Sequence, residues 1–183
     1  MKWLNSTERY GLVPIVFHWL ILFLFLAVYA SIELREVFPK GSEPREALKS
    51  WHFMLGILIF LLLWPRLISL RQGYFPSINP EQPYWQKLLS RGMHLTLYGL
   101  MFLMPLTGWL LLSAEAKPIP FFGLQLPALI SENKFVADLS KDAHELLGTL
   151  GYFLIALHTA AALLHHYFFR DNTLQRILPD LRD

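Results

Sequence analysis

Lys141-Asp142-Ala143-His144-Glu145-Leu146-Leu147-Gly148-Thr149-Leu150-Gly151-Tyr152-Phe153-Leu154-Ile155-Ala156-Leu157-His158 is the stretch whose reading decides the fold. His144 and His158 are fourteen residues apart, and the apolar segment that carries them runs from Leu146 to Phe169. At about 100° per residue, fourteen steps end within about 40° of four full turns, and at about 1.5 Å per residue they cover roughly 21 Å. A helix therefore holds both imidazoles on one face at two levels. Imidazole ligates haem iron through a neutral ring nitrogen, and a second imidazole from a facing helix completes a low-spin electron-transfer centre. One helix with this spacing can serve two haems, and His18 and His52, each near the start of its own apolar segment, are candidate partners.

Composition says where such a helix lives. The chain is 54% hydrophobic and 16% charged, with its apolar residues gathered into four blocks at about 12–32, 51–70, 93–113 and 146–169. Each has about the 20 residues needed to cross a hydrocarbon layer. A soluble core would not supply four such blocks in 183 residues, so the expected fold is all-α: an integral membrane four-helix bundle in the lipid bilayer, one domain over 1–183, with 114–141 as a long outer loop. The first block, with Val28-Tyr29-Ala30 near its end, could pass for a signal peptide. Its apolar run exceeds the usual 7 to 15 or so residues, so retention is expected; cleavage would also remove His18. The chain has no cysteine, which excludes disulfides, cysteine-bound iron–sulfur clusters and thiol-attached haem. Its formal net charge of +2, without a basic stripe, gives no case for nucleic acid.

An even number of spans puts both termini on one side. That side carries nine basic residues (Lys2, Arg9, Arg66, Arg71, Lys87, Arg91, Arg170, Arg176, Arg182) and five acidic ones (Glu8, Glu81, Asp171, Asp180, Asp183), against seven basic and nine acidic on the other. The positive-inside rule then makes both termini cytoplasmic.

Depth sorts the histidines. His52 opens the second block and His144 the fourth, and both of those helices start on the outer side, which gives an outer pair. His18 lies about two turns into the first block from the inner side and His158 about three turns before the inner end of the fourth, which gives an inner pair. Each could instead be a neutral histidine bonding across a helix interface, but two depth-matched pairs favour two noncovalent haems. His94, one turn inside the third block, rivals His18 as the inner partner. His165 falls on the His158 face one layer further in, where it suits a haem propionate or a quinone carbonyl as well as it suits interfacial anchoring; His166 points elsewhere. Arg66, fourteen residues after His52, lies at the inner level and suits a propionate or a snorkelling anchor. Gly148 and Gly151 leave room between the two imidazole levels, as close helix packing also would.

The chain resembles the bacterial cytochrome b561 family over essentially its whole length. The resemblance rests on Phe17-His18-Trp19, on Trp51-His52 with Arg66, on Met104-Pro105-Leu106-Thr107-Gly108, on Lys141 to Glu145 leading into Gly151-Tyr152-Phe153, and above all on Leu157-His158 with His165-His166-Tyr167-Phe168-Phe169-Arg170-Asp171-Asn172-Thr173-Leu174. It implies two b-type haems, one on His18 and His158 and one on His52 and His144, in the bacterial inner membrane. Within the family the similarity is to a short form that oxidises superoxide and reduces ubiquinone. On that reading a periplasmic donor, superoxide, gives its electron at the outer haem, with Lys141, and less so Lys49, raising the local concentration of the anion. The alternative is a non-enzymatic anchor subunit relaying electrons from a dehydrogenase or hydrogenase partner to quinone. A third possibility, a bundle with buried histidines and no cofactor, predicts a colourless protein.

Overall fold

The structure is a computed structural model and describes residues 3–179. Lys2, Asp180, Arg182 and Asp183, which enter the charge comparison above, lie outside the described residues. Four helices dominate: α1 (Leu12–Leu34), α2 (Glu43–Leu70), α3 (Tyr84–Ala114) and α4 (Lys134–Leu164). A short 3₁₀ turn (Arg35–Val37) extends α1, and a π turn (His165–Phe169) extends α4. All four are long and apolar enough to cross a membrane. Large side chains stand exposed along them, among them Phe23 at 63%, Leu95 at 74% and Phe153 at 70%. Apolar surface on this scale is costly in water and costs nothing against hydrocarbon, where the helical backbone keeps its own hydrogen bonds. The all-α membrane architecture expected from the four blocks is the one the chain adopts.

Three of the helices begin earlier than their apolar blocks. α2 starts at Glu43, where Glu43 and Glu46 place negative charge in the first turn, complementing the helix dipole. α3 starts at Tyr84, directly after Pro83. α4 starts at Lys134, inside the segment 114–141 expected to be loop. The reason is a cap: Asn133 Oδ1 accepts the Val136 N–H at 3.1 Å, which satisfies a first-turn donor and lets polar residues join the helix. The remaining connection holds a small hairpin, β1 (Pro120–Phe121) with antiparallel β2 (Leu124–Gln125). It turns at Phe122 and Gly123, both with positive φ.

The helices contribute segments to two compact units. One comprises residues 3–20, 63–99 and 150–179. Here the chain before α1 is tied to the other connections: Asn5 Nδ2 donates to the Leu70 carbonyl at 3.3 Å, Ser77 N–H to Thr7 O at 2.9 Å, and Trp19 Nε1 to Ile177 O at 3.0 Å. Gly11 permits this path, because a Cβ there would run into the Trp3 carbonyl oxygen.

The other unit comprises Ile21–Leu62 and Leu100–Thr149. Its α1–α2 turn is pinned by the buried Arg45. That guanidinium donates to the carbonyls of Arg35 and Phe38, both at 2.9 Å, and pairs with Glu36 at 3.0 Å. The hairpin rests on α2, with Phe122 N–H directed at Met54 Sδ and the Phe122 and Trp51 rings 6.1 Å apart.

Candidate functional site

In the second unit the His52 ring, from α2, faces the His144 ring, from α4, with centroids 6.0 Å apart and planes at 77°. Both rings are held from behind. His52 Nδ1 lies 3.2 Å from the Val28 carbonyl oxygen, and His144 Nδ1 lies 3.0 Å from that of Met104. A carbonyl can only accept, so Nδ1 carries the proton in each ring and Nε2 is left with its lone pair. Fastening one imidazole nitrogen to a carbonyl is how metal-binding histidines are oriented. Thr107 Oγ1, 3.1 Å from His144 Nδ1, shares that N–H. Gly108 completes the pocket: a Cβ there would lie 3.1 Å from His144 Cε1.

In the first unit three imidazoles gather. The rings of His18 and His158 are 6.3 Å apart at 62°, and those of His94 and His158 are 5.5 Å apart at 83°. The two neighbours of His158 differ in polarity. His94 Nδ1 donates to the Ser90 carbonyl at 2.6 Å, the helical i−4 bond. His18 Nδ1 instead accepts from Arg66 Nη2 at 3.1 Å, which puts the proton of the neutral ring on Nε2. Arg66 also lies over the Tyr98 ring at 5.8 Å, and its Nη1 is buried without a hydrogen-bond partner.

The chain folds back after α4. Arg170, in the left-handed conformation at φ 54°, ends the π turn, and Asp171 N–H returns to the His165 carbonyl at 3.2 Å. The Asp171 carboxylate, 3% exposed, accepts from His165 Nδ1 at 2.6 Å, Gln82 Nε2 at 3.0 Å and Thr173 N–H at 2.9 Å. Burial alone raises the pKa of this carboxyl; the hydrogen bonds from Gln82, Thr173 and His165 outweigh it and hold the group down at about 2. His166 Nδ1 is buried without a partner.

The two lysines expected to attract anions both have acidic neighbours. Lys141 Nζ lies 3.9 Å from Glu145 on the next turn, and Lys49 Nζ lies 2.7 Å from Glu46. Each acid offsets part of its lysine's field, and Lys141, with the looser pairing, keeps more of it.

Sequence reading pointed to the histidines and to Arg66 but not to what holds them. The carbonyls of Val28 and Met104 are invisible in a sequence. Thr107 and Gly108 entered only within the Met104–Gly108 motif, although their place opposite His144 follows from α3 packing against α4 in this unit. Gln82 and Asp171, outside the apolar blocks, carried no periodic signal.

Two imidazoles on one metal, with metal–nitrogen bonds of about 2 Å and a ring radius of about 1.2 Å, have centroids roughly 6.4 Å apart. The 6.0 Å and 6.3 Å separations fit that value, and the 5.5 Å separation fits it less well. The orphaned Arg66 Nη1 is a buried donor that a carboxylate, such as a haem propionate, would satisfy. The residues present therefore fit haem b.

Comparison with known proteins identifies the family. The family described as prokaryotic cytochrome b561 matches residues 9–180. Cytochrome b561 homolog 1 of Escherichia coli (strain K12) is 37% identical over 172 residues, covering 94% of this chain and 98% of that protein. The probable superoxide oxidase CybB of Yersinia pestis is 38% identical over 176 residues, covering 96% and 98%. Cytochrome b561 homolog 2 of Escherichia coli (strain K12) is 31% identical over 184 residues, covering 97% and 95%. With a match spanning nearly every described residue and paired histidines that fit a haem, the chain belongs to the prokaryotic cytochrome b561 family, membrane oxidoreductases that bind haem b and transfer electrons.

Proposed function

We propose that this chain holds two haems b and works as a superoxide:ubiquinone oxidoreductase of the inner membrane, with both termini cytoplasmic. One haem is carried by His52 and His144, the other by His18 and His158. The observation that supports this reading best is the pair of facing imidazoles at 6.0 Å, each with Nδ1 directed at a carbonyl and Nε2 left free. The 38% identity to a protein named as a probable superoxide oxidase supports the donor.

When bound, haem iron supplies reversible one-electron chemistry between superoxide, which leaves as oxygen, and ubiquinone. The chain's own residues do the rest. His52 and His144 fix the first group's orientation through the Val28 and Met104 carbonyls. Superoxide is already an anion at neutral pH, so its oxidation asks for no protein acid or base; Lys141 draws it in. Arg66 would hold a propionate of the second group, which would satisfy Nη1 and, by drawing Nη2 off His18, would free that ring's Nδ1 lone pair.

The deciding experiment is stopped-flow mixing of purified, haem-loaded protein with superoxide in the presence of ubiquinone. Rapid haem reduction followed by quinol formation is expected. No superoxide-driven reduction, together with copurification of a soluble dehydrogenase or hydrogenase, would transfer the chain to the anchor-subunit reading.

A further inference from the structure

We propose that His165 and Asp171 form a proton-delivery pair for quinone reduction at the end of α4, an inference that rests on the quinone-reducing reading above. Reducing a quinone to a quinol consumes two electrons and two protons. In the proposed function the electrons come one at a time from two superoxide anions, which become two molecules of oxygen. The protons need a route of their own, because nothing in that electron path supplies them.

The geometry around His165 suits that route. His165 Nδ1 and Asp171 Oδ2 are 2.6 Å apart, with side chains 18% and 3% exposed. Gln82 Nε2 lies 3.1 Å from the same ring nitrogen, but an amide N–H and an imidazole N–H cannot bond each other. The shorter, charge-assisted bond places the ring proton between His165 and Asp171, while Gln82 donates to the carboxylate at 3.0 Å. His165 Nε2 is left as the free base and, among the described residues, bonds no protein group. An ionised carboxylate behind an imidazole fixes its tautomer and stabilises the imidazolium that forms when Nε2 takes a proton.

The surroundings suit a flat, partly apolar acceptor. The Phe169 ring lies 5.1 Å from that of His165, and Tyr167 and Phe168 stand exposed at 72% and 73% on the same π turn. A π turn is an irregularity that recurs at functional sites. The charged and titratable groups facing the pair are few. Arg176, from the C-terminal turn, acts on the Asp171 carboxylate, and Tyr10, from the segment before α1, lies under Arg176 at 5.9 Å; the connection before α3 contributes the neutral Gln82.

In each delivery the His165 Nε2–H bond breaks, an O–H bond forms on the quinone oxygen, and His165 takes a new proton from water on the side that carries the termini. Two deliveries complete the quinol.

The test starts from full-length, haem-loaded protein reduced with dithionite and freed of excess reductant, mixed with a short-chain ubiquinone at several pH values. His165→Gln is expected to slow haem oxidation by quinone at least tenfold and to flatten its pH profile, at parental haem content and parental rate of haem reduction by superoxide. Free imidazole is expected to restore His165→Ala in part, and Asp171→Glu to retain more activity than Asp171→Asn. A parental rate and pH profile in His165→Gln would overturn the proton pair while leaving the quinone-reducing reading intact. If the parent protein itself fails to pass electrons to quinone, that reading falls and the proton pair with it.

Discussion

His144 Nδ1 lies 3.0 Å from the carbonyl oxygen of Met104, four residues before Gly108 on α3, so one short segment of helix both orients this imidazole and makes space for it. A substituted Cβ at position 108 would sit 3.1 Å from His144 Cε1, tighter than van der Waals contact. Gly108→Ala should displace the ring by a few tenths of an ångström and lower the affinity of the His52/His144 site for haem; Gly108→Leu should abolish binding there. Pyridine haemochrome analysis is expected to fall from two haems per chain towards one, with the other haem's redox titration unchanged.

The same assay separates the two pairs. His52→Ala and His144→Ala should each lose one and the same haem, and His18→Ala and His158→Ala the other. His94→Ala should keep both, because the 5.5 Å approach of His94 to His158 leaves less room for a metal than the 6.3 Å of His18. Retention of both haems in His18→Ala with loss of one in His94→Ala would assign the ligand to α3.

The contrast between these two sites shows how far a sequence reaches. The fourteen-residue spacing that puts His144 and His158 on one face of α4, and the apolar blocks, are read through helix periodicity and bilayer thickness alone, which is why the four long helices were legible. The choice between His18 and His94 was not, because both lie near the same depth; ring distance favours His18, whereas hydrogen-bond polarity favours His94, whose Nδ1 already donates to a carbonyl. The helical start of α4 at Lys134 was also hidden, since a polar first turn reads as loop until Asn133 is seen to cap it. Asp171 lies six residues beyond His165, and only the left-handed Arg170 reverses the chain to bring them together.

Asp171 ties stability to pH. Its carboxyl is held at about 2, below the ordinary 3.8. A depressed folded-state pKa contributes stability that is complete above the unfolded value and lost as pH falls through the folded one. Asp171→Asn should therefore lower the thermal stability of the haem-loaded protein at pH 7, by about 1.5–3 kcal/mol for a hydrogen-bonded charged group. The gap to the parent should narrow below about pH 4 and close near pH 2. Thermal melts in detergent across that range check both the sign and the window.

Lys141 and Glu145 make a second electrostatic test. Their 3.9 Å pair is exposed at 59% and 67%, so it adds little to stability and its main effect is on the local field. Lys141→Glu should slow superoxide-driven haem reduction and weaken or reverse its dependence on ionic strength. Glu145→Gln should do the opposite, raising the low-salt rate by uncovering the lysine's charge. Haem content and full reduction by dithionite should match the parent in both. Equal rates across a salt series in all three proteins would remove Lys141 from the reaction.

Arg66 offers the sharpest test of the His18/His158 site, because its present bonds and its proposed ones are incompatible. With Nη2 on His18 Nδ1, the neutral ring carries its proton on Nε2, so neither nitrogen offers a lone pair to a metal. If the guanidinium moves to a propionate on haem binding, Arg66→Leu removes a favourable charge-assisted contact, and it also releases His18 from the unproductive tautomer. The first effect is the larger, since a bidentate pair with a carboxylate exceeds a single bond to a neutral ring. Arg66→Leu should then weaken haem binding at this site alone, by roughly tenfold or more. It should also lower that haem's midpoint potential, because the lost cation favoured the reduced, less positive iron. Arg66→Lys, which keeps the charge without the fork, should recover most of the potential but less of the affinity. Potentiometric titration of the two haems separately checks the shift, and an unchanged potential in Arg66→Leu would remove the guanidinium from that haem's surroundings.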